Sequence, residues 1–129
     1  MRVVFDTNIF ISARVFPGSL AEKAVVKIIE RDTLVISKSI IDEVLSVMSR
    51  KFSRDAEELS RVAIHLSELG EMVRPTKKLT ILKDEPDNRI IECAFAGSAE
   101  AIVTGDKEML ALKEYRGVRI INLREYLSL

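Results

Sequence analysis

The sequence predicts a three-layer α/β/α domain built on a central, mainly parallel sheet. Short β-branched runs recur along the chain, and amphipathic stretches with helical spacing separate them. At 129 residues the chain has the length of one domain, and it contains no internal repeat, low-complexity stretch or second-domain linker. The elements follow in order. Arg2 to Phe5 reads as a buried strand that stops at Asp6-Thr7-Asn8. After a loop containing Pro17-Gly18, Ser19 and Glu22 form a capping-box pattern ahead of Leu20, Ala21, Ala24, Val25, Ile28 and Ile29, so a helix starts there. Leu34 to Ile36 is a second strand. Ser39 is expected to cap a helix through about Met48, and Ser53 to precede another that carries Leu59, Val62, Ala63, Leu66 and Leu69 and ends near Gly70.

The second half repeats the alternation. Met72 to Arg74 is a strand fragment, and Thr76 to Asp84 is a basic connector whose centre, Leu79 to Leu82, has the composition of a short strand. Pro86 suits a first helical turn, which places a helix from there to about Ala96. Ala101 to Thr104 is a strand, Lys107 to Leu112 a short helix, Val118 to Ile121 a strand, and Leu123 to Leu127 a final turn. Strands separated by helices pair in parallel through right-handed crossovers.

Composition narrows the function classes. With 47% hydrophobic residues the chain has the material for a core, which argues against disorder, and its single Cys suits a reducing compartment. No apolar run approaches the roughly 18 residues of a membrane span, and Asp6 interrupts the opening before a signal sequence forms, so a cytoplasmic location with no membrane partner is expected. Twenty basic residues balance twenty acidic ones, so nucleic-acid binding must rest on local rather than net charge. Gln is absent and charge is abundant, a bias of thermophile proteins.

The acids carry the chemistry. Ligands of a parallel α/β sheet lie beyond the carboxyl ends of its strands, and Asp6 and Asp106 fall there. Either alone is an ordinary capping Asp. On the helix that follows Pro86, Asp87 shares an arc with Ile90, Ile91, Ala94 and Phe95, whereas Arg89 and Glu92 point elsewhere; a buried carboxylate there needs local amides or a cation. The same phase test sends Asp42 to solvent and Glu43 to the edge of its apolar arc, from which it either reaches the strand ends or snorkels to water. Two carboxylates about 4 Å apart repel by about 4 kcal/mol at an effective dielectric near 20, so four acids in one pocket require a counter-charge. Only Lys107 adjoins them in sequence. An all-oxygen donor set suits Mg²⁺ or Mn²⁺, and the lone imidazole, His65, flanks an apolar stripe as a surface or packing residue.

Val3-Val4-Phe5-Asp6-Thr7-Asn8, Ile41-Asp42-Glu43-Val44, Asp84-Glu85-Pro86-Asp87-Asn88 and Val103-Thr104-Gly105-Asp106, taken in order, resemble the PIN-domain family over nearly the whole chain. The likeness is nearest to the toxin components of prokaryotic toxin-antitoxin systems, the VapC-type ribonucleases. It implies that Asp6, Glu43, Asp87 and Asp106 are an acidic quartet holding one or two Mg²⁺ or Mn²⁺ ions, that Asn8 and Thr104 orient the site, and that Asp84 is a second-ranked acid. It implies metal-dependent hydrolysis of RNA phosphodiesters with no covalent nucleophile, a small antitoxin partner and a homodimer, for which the apolar side chains of the helix between Ser53 and Gly70 offer a surface or simply pack in the core. Arg50, Lys51, Arg54, Arg74, Lys77, Lys78, Lys83 and Lys107 are either an RNA-binding rim or a solvated charge face. Two alternatives remain: a PIN-fold module that binds RNA or protein without turnover, and an aspartyl-phosphate phosphatase using Asp6. The phosphatase reading is weakened by Asn8, which stands where a second acid would be needed.

Overall fold

A computed structural model describes residues 1–52 and 55–129. Its elements are β1 (Arg2–Phe5), α1 (Thr7–Val15), α2 (Leu20–Glu30), β2 (Thr33–Ser37), α3 (Lys38–Phe52), α4 (Ala56–Leu69), β3 (Glu71–Val73), α5 (Glu85–Ala96), β4 (Ala101–Val103), α6 (Lys107–Leu112), β5 (Glu114–Tyr115), β6 (Val118–Ile121) and α7 (Leu123–Leu127). The sheet order is β3-β2-β1-β4-β6-β5, parallel throughout except for the antiparallel β5–β6 edge. Val3, Val4 and Phe5 of β1 and Ala101, Ile102 and Val103 of β4 are fully buried. Central parallel strands covered on both faces require such uninterrupted apolar runs. Helix α5 packs on β1, β2 and β4, α6 on β6, and α2 on β2 and α7, which completes the three layers.

Several elements depart from expectation for local reasons. Asp6-Thr7-Asn8 does not end in a loop: Asp6 caps α1, whose Thr7, Ile9, Phe10 and Ile11 are buried. The segment from Leu79 to Leu82 is not a strand, because side chains of α5 take its polar groups. Asn88 Oδ1 accepts from the amides of Ile81 and Leu82 at 3.0 and 2.8 Å, its Nδ2 donates to the Leu82 carbonyl at 2.8 Å, and Glu92 accepts from the Leu79 amide at 2.7 Å. Helix α3 begins at Lys38 rather than behind a Ser39 cap, and the Ser37 hydroxyl accepts the Ile40 amide at 3.4 Å. Ser53 lies outside the described residues; Asp55 caps α4. Strand β5, too short to show in the sequence, turns into β6 through Arg116 and Gly117, both at positive φ (47° and 89°), as a two-residue hairpin requires.

Connectivity fixes where a site forms. The chain leaves β1 for β2 and β3 on one side, then returns through α5 to β4 on the other side of β1. The carboxyl ends of β1 and β4 therefore flank the topological switch point, where open α/β sheets bind ligands.

Candidate active site

Asp6 extends β1 by one residue, its amide donating to the Val103 carbonyl at 2.9 Å. Its side chain is 5% exposed. One carboxylate oxygen accepts the Asn8 amide at 3.2 Å and the other accepts the Thr104 hydroxyl at 2.6 Å. The same Thr104 oxygen accepts the Asp106 amide at 3.0 Å, so one buried hydroxyl joins the two strand-end acids. Asp106 in turn caps α6 by accepting the Met109 amide at 2.9 Å. Thr104 thus contacts Asp6 and the Asp106 amide through its side chain, whereas Asn8 contacts Asp6 through its backbone, its side chain being exposed beside the cleft.

Helix α5 brings Asp87 to the same end of the sheet. Asp87 is 8% exposed; its amide donates to the Asp84 carbonyl at 3.1 Å, but its carboxylate accepts no hydrogen bond among the described residues, and the cap position belongs to Asp84, whose own side chain caps nothing. Burial, then the like charges of Asp84, Asp106, Asp6 and Glu108, push the Asp87 carboxyl up to about 7. Burial also raises Asp6, although the bonds from Thr104 and Asn8 pull it back. Glu43 projects from α3 into the same region, about a third exposed. A cleft of about 270 Å³ is lined by Asp6, Asn8, Glu43, Asp84, Asp87 and, on the basic side, Arg50.

The four acids thus belong to one neighbourhood in two ways. Asp6, Glu43 and Asp87 share the cleft, while Asp106 is tied to Asp6 through Thr104 and lowers the electrostatic comfort of both Asp6 and Asp87. Their donor chemistry and their excess of negative charge over Arg50, the single basic side chain lining the cleft among the described residues, fit a hard divalent cation. Convergence is looser than coordination demands, since no three His, Cys, Asp or Glu side chains among the described residues are gathered closely enough to enclose an ion. Mutual repulsion favours such spreading, and Asp6 and Asp106 also spend oxygens on helix amides.

Four features escaped sequence reasoning. Arg50, two turns beyond Glu43 on α3, places its guanidinium 3.8 Å from the Glu43 carboxylate, so a cation other than Lys107 adjoins the acids. Glu108 adds a further negative charge, which its position two residues after Asp106 made visible. Glu92 does not point away: it is buried, paired with Arg89 at 2.9 Å, and holds the connector. Phe95, placed in the buried arc, is 37% exposed. Among the other basic residues, Lys51, Lys78, Lys83 and Lys107 are exposed; Lys77 lines a hollow with Leu79, Glu92 and Phe95, toward the far end of α5 from Asp87. Arg54 lies outside the described residues. Val62 and Leu66 of α4 pack inward, leaving Ile64 as its exposed large apolar residue, and His65 is on the surface. No helix among the described residues is long and apolar enough to cross a membrane.

Comparison with known proteins agrees with this architecture. An uncharacterized protein of Methanocaldococcus jannaschii is 30% identical over 119 residues, covering 88% of this chain and 76% of that protein. The fold is similar to that in the structure of VapBC2 from Rickettsia felis bound to a DNA fragment from their promoter (TM-score 0.67, 17% identity, 95% of this chain and 98% of that one). It is also similar to that in VapBC-1 from nontypeable Haemophilus influenzae (TM-score 0.65, 20% identity, 96% and 99%). The family model described as PIN domain matches residues 2–108, and the chain belongs to the PIN-domain family.

Proposed function

We propose that this protein is a divalent-metal-dependent ribonuclease, the toxin member of a toxin-antitoxin pair. The observation that carries the proposal is Asp87, a buried carboxylate with no hydrogen-bond donor among the described residues, surrounded by other acids at the switch point of a PIN-family sheet. Ionising it is unfavourable until positive charge enters the cleft. Asp6, Glu43, Asp87 and Asp106 would hold Mg²⁺ or Mn²⁺, with Asp84 and Glu108 adding to the attractive field. When bound, such an ion supplies Lewis-acid stabilisation of charge developing on a phosphate and makes water more acidic.

The remaining roles belong to the chain. Thr104 fixes one Asp6 oxygen and the Asp106 backbone at once, which presets the spacing of the two strand ends. Asn8 places an amide at the mouth of the cleft, where a phosphate or ribose can accept from it. Exposed Arg50, Lys51, Lys83 and Lys107 supply local positive charge for an RNA backbone, while Lys77, on the connector beside the far end of α5, and its exposed neighbour Lys78 would act on a longer strand. Likeness to the VapBC assemblies supports a small antitoxin as partner, and the same reading includes a homodimer and a cytoplasmic setting.

The test is cleavage of single-stranded and structured RNA with Mg²⁺ or Mn²⁺ by the wild type, Asp6→Asn and Asp106→Asn. Metal-dependent cleavage by the wild type alone is expected. Equal activity in all three would assign the cleavage to a contaminant, and metal-dependent binding without cleavage would favour a binding module.

A further inference from the structure

We infer that Arg50 alternates between two partners, holding Glu43 when the cleft is free of metal and a substrate phosphate when Glu43 is engaged by metal, so that metal binding and RNA binding reinforce each other. The inference rests on the metal-dependent nuclease reading and adds a substrate-binding residue and a coupling to it. Among the described residues Arg50 is the sole basic side chain lining a cleft that also contains Asp6, Glu43, Asp84 and Asp87. Its guanidinium NH2 lies 3.8 Å from Glu43 Oε1, and its Nε donates to the Ser46 carbonyl at 3.4 Å, a long bond within its own helix. Both contacts are weak by length, and the Arg50 side chain is 67% exposed, so the group is tethered at the rim and free to turn.

The two partners are mutually exclusive on charge grounds. A Glu43 oxygen committed to a cation no longer attracts the guanidinium, and the cation repels it. The planar fork released at the rim matches the paired oxygens of a phosphodiester, which meets no other basic side chain among the described residues lining the cleft. Each ligand then favours the other by the same factor, as linkage requires.

The experiment measures Mn²⁺ affinity by calorimetry or electron paramagnetic resonance, and binding of an all-phosphorothioate oligoribonucleotide, which resists hydrolysis, by anisotropy. Wild type is compared with Arg50→Gln, Arg50→Lys and Arg31→Gln, the last removing an equal charge at the opposite end of the sheet. Arg50→Gln should bind Mn²⁺ about two- to fivefold more tightly without oligonucleotide, the effect of losing one largely exposed ion pair. It should also lose the Mn²⁺-dependent gain in oligonucleotide affinity that the wild type and Arg31→Gln retain, and Arg50→Lys should restore part of that gain. Wild type that binds Mn²⁺ and oligonucleotide while Arg50→Gln behaves identically would overturn this inference alone. Wild type that binds no Mn²⁺ would overturn the nuclease reading with it.

Discussion

Replacing Asp87 with Asn removes the charge at the buried start of α5 while keeping the side chain's shape, so it isolates the electrostatic cost of the cleft. In the metal-free protein, burial and then the neighbouring acids lift this carboxyl from 3.8 to about 7. Between those values the native state retains a proton that the unfolded chain has released, so stability falls as pH rises through the window and levels off above it. Asp6 is raised and contributes with the same sign, whereas Asp32, lowered by Tyr126 and its cationic neighbours against the opposing effect of burial, acts only below its ordinary value. At about 1.4 kcal/mol per pH unit the full span is a ceiling of about 4 kcal/mol, and about 2 kcal/mol is expected once water screens the open side of the cleft. Urea unfolding in EDTA at about pH 5 and about pH 8 measures it. The wild type should be less stable at the higher pH, Asp87→Asn should lose most of that slope and exceed wild type at about pH 8, and Mg²⁺ should restore wild type but not the variant. A variant that keeps the wild-type slope would show that the titrating group is not Asp87.

Three further perturbations probe the supports of the site. Thr104→Val removes the hydroxyl shared by Asp6 and the Asp106 amide; it should cost about 1–3 kcal/mol in unfolding experiments and lower RNA cleavage about tenfold or more in assays with saturating metal. Asn88→Leu leaves the Ile81 and Leu82 amides without their acceptor, so limited proteolysis should cut between Thr76 and Lys83 and stability should fall by about 2–4 kcal/mol. Gly97→Ala puts a Cβ into the space of Val35 Cγ1 in β2, which is fully buried, and thermal unfolding should register a loss of about 1–3 kcal/mol while metal affinity of the folded protein is unchanged.

The sheet was legible because its central strands are unbroken apolar runs separated by helices with a clear period, and because Ser19 and Pro86 mark helix starts by their own chemistry. Helix α1 was not, since Thr7 and Asn8 look like loop residues until tertiary packing buries Thr7. The connector misled for the opposite reason: Leu79 to Leu82 has strand composition, but its amides satisfy Asn88 and Glu92 rather than another strand. In the site, helix phase placed Asp87 in the interior and Asp42 in solvent, as found. It could not show that Arg50 folds back two turns toward Glu43, nor that Arg89 and the connector backbone draw Glu92 inward, because both depend on partners that periodicity does not encode.

The most direct measurement is a crystal structure of the protein grown with Mn²⁺, with the ion located by its anomalous scattering. Mn²⁺ should lie in the cleft with an Asp6 oxygen and oxygens of at least two of Glu43, Asp87 and Asp106 at about 2.0–2.3 Å, the carboxylates drawn inward around it. Mn²⁺ bound elsewhere, or an empty cleft in crystals of a preparation that cleaves RNA, would contradict the proposed metal site.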